Sequence, residues 1–166
     1  MLDSLIVRVR RSPNLSVIPD ATLCEDGTIN FTATATDVGA GNNITWRFLG
    51  GTAGGRITGA TTTASGNPIT YNPATDGAAQ IRYATADPAG VCLADVDTIN
   101  IDVFETSTIT VPTGIIHVCE GEVATINASY GGGATSIEWT GGNGTFSDNT
   151  NPVVDYTPTG LSLIHI

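Results

Sequence analysis

Asp3-Ser4-Leu5-Ile6-Val7-Arg8-Val9 and Asp97-Thr98-Ile99-Asn100-Ile101-Asp102-Val103 carry the same pattern twice, 94 residues apart (97 − 3). Leu5, Val7 and Val9 alternate with their neighbours in one copy, and Ile99, Ile101 and Val103 do so in the other. A period of two is that of a strand with one face buried. The likeness continues outward in a fixed order. Leu15 and Val17 match Ile109 and Val111 at the same offset. Cys24-Glu25 matches Cys119-Glu120 at 95 (119 − 24), and Phe31 and Ala33 match Ile126 and Ala128 likewise. Ile44-Thr45-Trp46 matches Ile137-Glu138-Trp139 at 93, and Tyr71-Asn72-Pro73 matches Tyr156-Thr157-Pro158 at 85. The second copy therefore has a shorter middle loop. A repeat of about 94 residues has the size of one small β-sandwich.

Strands are expected over Leu15–Ile18, Thr28–Ala35 and Ile44–Phe48, then around Ile57, over Pro68–Tyr71 and Gln80–Thr85, and over Asp97–Val103. The glycine-rich stretch Gly50-Gly51-Thr52-Ala53-Gly54-Gly55 is a turn. Short strands with turn signals between them read as an antiparallel sandwich. Phe31, Trp46, Tyr71 and Tyr83 in the first copy, and Trp139 and Tyr156 in the second, are the expected large core side chains. The repeat also sets the expected boundaries. Residues 1–11 form the last strand of a preceding repeat, 12–103 a complete one, and 104–160 a truncated one. Leu161-Ser162-Leu163-Ile164-His165-Ile166 matches nothing in the first copy. It resembles the translated transposase recognition sequence of DNA-library preparation, so 161–166 is expected to be an adapter-derived tail.

Composition excludes several classes of function. The net charge is −10, and all six basic residues are arginine. Such a chain repels phosphate backbones and anionic membrane surfaces, so neither nucleic acid nor membrane is an expected partner. No stretch approaches the ~18 apolar residues of a spanning helix.

Three cysteines are present. Cys24 and Cys92 fall in the same repeat and are expected to form a disulfide, the alternative being two buried thiols. The counterpart of Cys92 in the second copy is expected near position 177 (156 + 21), because Tyr71 precedes Cys92 by 21 residues. Cys119 thus has its expected partner outside the chain. His117 lies two residues before Cys119, but the first copy has Thr22 in its place. A nucleophilic pair needs a third orienting group, and structural zinc needs four ligands. Neither is expected here. Asp95, Asp97 and Asp102 near the closing strand, with Asp26-Gly27 and Asp76-Gly77 at turns, are the candidates for calcium. No Asp-x-Asp-x-Asp-Gly loop accompanies them. Asn14, Asn30, Asn43, Asn127 and Asn143 open Asn-x-Ser/Thr triplets, as chance allows in so Asn- and Thr-rich a chain. No catalytic, cofactor-binding or metal-ligating residue is expected, and the chain is not expected to be an enzyme.

Trp46-Arg47-Phe48-Leu49-Gly50-Gly51-Thr52 resembles a degenerate form of the Trp-Asp-Phe-Gly-Asp-Gly-Thr signature of polycystic-kidney-disease-type (PKD-like) domains. Trp139-Thr140-Gly141-Gly142-Asn143-Gly144-Thr145-Phe146 is similar to the Trp-Ser-Gly-Gly-x-Gly-x-Phe pattern of PKD-like repeats in very large bacterial surface proteins. Val118-Cys119-Glu120-Gly121 is similar to the opening of those repeats, and Asp87-Pro88-Ala89-Gly90-Val91-Cys92 to their closing turn. Gliding-motility-associated adhesins carry such modules in series. The resemblance implies an all-β chain of tandem immunoglobulin-like (PKD-like) antiparallel β-sandwiches, the second truncated. It also implies a secreted, surface-attached protein, exported through a C-terminal sorting domain. The expected role is a structural and adhesive module, a spacer that contacts neighbouring repeats and binds glycans or other cells. The alternative is an accessory module, spacer or carbohydrate-binding, of a secreted polysaccharide-degrading enzyme.

Overall fold

The computed structural model describes residues 5–38, 43–85, 92–119 and 121–160, and the backbone of 164–165. The chain divides into two compact units, Met1–Phe104 and Glu105–Ile166. The expected closing turn over 87–91 lies outside the described residues.

The first unit contains β1 (Asn14–Leu15), β2 (Ala21–Cys24), β3 (Ile29–Thr32), β4 (Ala35–Thr36), β5 (Asn43–Gly50), β6 (Arg56–Thr58), β7 (Thr62–Ala64), β8 (Pro68–Asn72), β9 (Gly77–Thr85) and β10 (Val96–Phe104). One sheet runs β2-β10-β9-β5-β7, and the other runs β3-β8-β6. A short β1–β4 ladder pairs Leu15 with Ala35. Alternation decides which side chains go inward. Ile44 and Trp46 of β5, Ile81 and Tyr83 of β9, and Ile99 and Ile101 of β10 meet Phe31, Ile69 and Tyr71 of the opposite sheet in one buried cluster. Each large apolar side chain so buried contributes about 1.5–3 kcal/mol. Two sheets closed over one such core make an immunoglobulin-like β-sandwich.

Trp46 stacks on Tyr83 with ring centroids 5.4 Å apart. Its indole N–H donates to Thr63 Oγ1 at 2.9 Å, so the one polar atom of the ring is satisfied inside the core. Phe48 stacks on Tyr71, whose hydroxyl donates to the Gly54 carbonyl at 2.6 Å. That bond ties the glycine-rich turn to the core. The β5–β9 register shifts between Phe48 and Gly50, a bulge that leaves Leu49 exposed.

The structure corrects the expected strands in two places. The segment expected as one strand over Leu15–Ile18 is extended only at Asn14–Leu15 before the chain crosses to the other sheet. Ile18 gives its N–H to Tyr83, and Pro19 has none to give, so no ladder continues there. The chain resumes as β2, which lies parallel to β10 with Ala21 opposite Ile101 and Cys24 opposite Phe104. This is the exception to the expected antiparallel order. The segment expected over Thr28–Ala35 splits into β3, which pairs with β8, and β4, which pairs with β1.

The second unit contains β11 (Thr108–Thr110), β12 (Ala124–Asn127), β13 (Ser129–Gly131), β14 (Thr140–Gly141), β15 (Gly144–Phe146), β16 (Val153–Pro158) and β17 (Ile164–His165). Its pairings repeat those of the first. Phe31 opposes Ile69, and Ile126 opposes Val154. Leu15 opposes Ala35, and Ile109 opposes Tyr130. The tryptophans are held alike. The Trp46 N–H donates to Thr61 O at 2.7 Å, and the Trp139 N–H donates to Asn149 O at 2.7 Å. The Trp139 indole donates to Asn151 O at 2.8 Å. The core here is smaller, with Ile126, Trp139, Val154 and Tyr156 buried and Phe146 tilted against Tyr156. The backbone of Ile164–His165 pairs with Thr140–Gly141.

Candidate functional site

The acidic residues near β10 do not share one site. Strand alternation puts Asp97 on the inner side of β10 and Asp102 on the outer, exposed side. The Asp97 Oδ2 accepts from the Tyr83 hydroxyl at 2.9 Å, and its Oδ1 accepts from the Thr98 N–H at 2.7 Å. Asp95 precedes the strand. Its Oδ2 accepts from the Leu15 N–H at 2.8 Å and its Oδ1 from the Val96 N–H at 3.0 Å. The Tyr83 hydroxyl accepts from the Ile18 N–H at 3.0 Å and has the Ser16 carbonyl at 3.0 Å. These contacts form a clamp. Asp95 and Tyr83 grip the Leu15–Ile18 segment at both ends and close the top of the sandwich with it. Of the carboxylates singled out for calcium, Asp95 and Asp97 are thus occupied by backbone N–H groups and a phenol. Among the described residues, no group of three or more His, Cys, Asp or Glu is placed to hold a metal ion.

Burial pushes the Tyr83 phenol up to about 12, and the neighbouring Asp97 and Asp95 charges add to the shift. The neutral phenol is favoured in the fold, where its proton is held more tightly than in the unfolded chain. Its contribution to stability is therefore complete below pH ~10 and is lost as the pH rises toward 12. We expect Tyr83→Phe to cost about 2 kcal/mol at neutral pH, because the Ile18 N–H and the Asp97 carboxylate lose a buried partner. Urea midpoints measured between pH 7 and 12 check both points: the alkaline loss of stability should shrink in the variant. An unchanged midpoint at pH 7 would show that the clamp carries nothing. Elsewhere Asp20 is held below the usual carboxylate range by the backbone and side-chain N–H groups of Asn100, and Asp148 by the backbone N–H and side-chain hydroxyl of Thr150.

The cysteines are arranged differently from expectation. Cys24, Cys92 and Cys119 are all unbonded. Cys24 sits beside the last residue of β10, Phe104, whereas Cys92 precedes the first, Val96, by four residues. The nine residues of β10 span about 26 Å at the usual rise. A disulfide needs Cα atoms within about 7 Å. The expected Cys24–Cys92 bond is not formed in this structure, where the two cysteines flank opposite ends of β10. The Cys92 thiol instead lies 3.8 Å from the Arg11 carbonyl oxygen. His117 and Cys119 are both exposed on a stretch without strand pairing.

The aromatic residues named from the sequence, Phe31, Trp46, Tyr71, Tyr83, Trp139 and Tyr156, are all buried. Phe104 is the most exposed ring among the described residues, and it lies at the Cys24 pole. The sharpest anomaly on the surface is the N-terminal segment. Leu5, Val7 and Val9 are 89%, 75% and 91% exposed. Their counterparts Ile99, Ile101 and Val103 are 0%, 1% and 4% exposed.

Fold and surface together define an all-β, immunoglobulin-like protein. Among solved structures, the chain is similar to the D00-D0 domain of intimin, with 13% identity and a TM-score of 0.44 over 89% of this chain and 87% of that one. It is also similar to the four N-terminal Ig domains of Dscam1 isoform 8.4, with 11% identity and a TM-score of 0.36 over 96% of this chain and 44% of that one. No family model matches the sequence, and no curated protein matches it.

Proposed function

We propose that the chain is part of a tandem array of PKD-like, immunoglobulin-like modules in a secreted cell-surface protein, where it acts as a spacer and adhesive element and not as an enzyme. The observation that carries this reading is the contrast between two copies of one strand. Ile99, Ile101 and Val103 are buried against β9 and the opposite sheet, while the equivalent Leu5, Val7 and Val9 face water. Leaving three such side chains exposed forgoes several kcal/mol of burial, roughly 1.5–3 each. A preceding module of the same kind would recover it by taking 1–11 as its last strand. Residues 12–103 are then one complete module, 104–160 a truncated one, and 161–166 an adapter-derived tail. The charge of −10 disfavours nucleic-acid and membrane partners, and neighbouring modules, surface glycans or other cells remain as the partners of the array.

Sequencing the source locus tests this. The reading frame upstream of Met1 should encode a tyrosine about 16 residues and a tryptophan about 53 residues before Leu5, the spacings that Tyr83 and Trp46 keep before Ile99. Downstream, native codons should replace 161–166 and run on to a cysteine. A catalytic domain directly upstream would instead place the module in a secreted enzyme.

A further inference from the structure

The first module carries a cysteine at either pole, Cys24 beside its last residue and Cys92 beside the residue that leads into it. Cys24 is paired side by side with Phe104, and the following Glu25 N–H donates to the Phe104 carbonyl at 2.9 Å. Cys24 thus marks the residue at which its module ends. Cys92 lies at the other pole, with its thiol 3.8 Å from the Arg11 carbonyl. At the period of 94, Arg11 corresponds to position 105 (11 + 94), the residue directly after Phe104. In an array, the Cys24 of one module therefore flanks position 104, and the Cys92 of the next module flanks position 105. Neighbouring residues along a chain are ~3.8 Å apart, and paired strands lie about 4.8 Å apart. Cys24 thus neighbours the last residue of its module and Cys92 the carbonyl of the residue that precedes it, while β10, about 26 Å long, separates the two poles within one module.

We propose that the disulfides of the array run between modules, from the Cys24 position of one to the Cys92 position of the next, and staple each junction. The inference rests on the tandem-array reading. Two thiols lose two protons and two electrons as the S–S bond forms, and a small-molecule or protein disulfide of the extracytoplasmic compartment takes up both and is reduced to two thiols. The exposure of Cys24, and the partial exposure of Cys92, leave both open to that exchange. Cys119 fills the Cys24 position of its own module: the Gly27 N–H donates to Cys24 O at 2.9 Å, and the Glu122 N–H donates to Cys119 O at 3.0 Å.

The test duplicates the complete module in register, as residues 1–105 followed by residues 12–166. The purified protein is oxidised with glutathione disulfide, digested without reduction and mapped by mass spectrometry. The expected product joins Cys24 of the first copy to Cys92 of the second. Cys24→Ser in the first copy should abolish that cross-linked peptide, and the same change in the second copy should leave it intact. Two folded copies, each with its tryptophan fluorescence blue-shifted, whose junction thiols stay reduced would overturn the proposal alone. A second copy that stays unfolded would overturn the array reading and this inference with it. The undivided 166-residue chain gives an independent check: a Cys24–Cys92 bond within one molecule would overturn the proposal whatever the duplicated chain does.

Discussion

Replacing Trp46 with alanine will destabilise the first sandwich by about 3–5 kcal/mol, the usual range for deleting a buried aromatic side chain. Three separate losses combine. The ring is buried between the sheets, so its removal leaves a cavity. Tyr83 loses the face it stacks on at 5.4 Å. Thr63 Oγ1, on the buried side of β7, loses its indole donor at 2.9 Å. The last loss has a wider reach, because β7 is a three-residue edge strand paired only to β5. Trp46→Phe separates the effects. It keeps most of the packing and removes only the hydrogen bond, so it should cost about 1–2 kcal/mol. Urea unfolding followed by circular dichroism, with amide exchange at Ile99–Val103 as a local probe, measures both. A Trp46→Ala midpoint within experimental error of the parent would contradict the description of the core.

Gly51→Ala will cost on the order of 3 kcal/mol or more, although the change adds a single methyl group. The backbone there has φ +135°, a conformation that L side chains rarely adopt. A Cβ would also run into the Ala78 carbonyl oxygen and lie 2.8 Å from Ala79 Cα, both backbone atoms that cannot turn aside. Ala78 belongs to β9, which the β5–β9 bulge brings against this turn. Gly59 is the control. Its φ is +101°, but nothing lies within 4 Å of a Cβ built on it. Gly59→Ala therefore carries only the conformational cost, about 1–2 kcal/mol. The difference between the two urea midpoints isolates the steric part. Equal midpoints would mean that the turn relaxes freely away from β9.

Much of this fold is legible in the sequence because two signals reinforce each other. Period-two alternation marks β5 and β10 one residue at a time, and the repeat then shows which alternating runs matter. Trp46 and Trp139, or Tyr71 and Tyr156, are equivalent by offset and equally buried. What escapes the sequence is pairing and direction. β2 is only Ala-Thr-Leu-Cys, with no strong β-former besides Thr22, and it is extended because β10 lies alongside it some 80 residues away in sequence. β7, Thr62–Ala64, carries one buried side chain, Thr63, whose value lies in the bond to Trp46. The clamp is half visible. Tyr83 reads as a core ring from its strand, but its hydroxyl partners come from a segment about 65 residues away. Asp95 and Asp97 read as possible cation ligands because a sequence shows charges without showing which N–H groups already occupy them.

The placement of the cysteines is hidden in the sequence for a related reason. Counting places Cys24 and Cys92 in one repeat, and proximity within a repeat looks like proximity in space. Strand direction decides otherwise, since β2 and β10 run parallel and carry Cys24 to the far end of the sheet.

The reading of 1–11 as a strand that belongs to a preceding module has one direct measurement. Amide hydrogen exchange would be followed at Leu5, Val7 and Val9 in the 166-residue chain and in the same chain extended upstream by about 95 residues of its native reading frame. In the shorter chain these amides should exchange at nearly unprotected rates, while Ile99, Ile101 and Val103 are strongly protected. In the longer chain the three N-terminal amides should slow by at least about a thousandfold, toward the rates of their counterparts in β10. Equal, unprotected exchange at Leu5, Val7 and Val9 in both chains would contradict the tandem-module organisation.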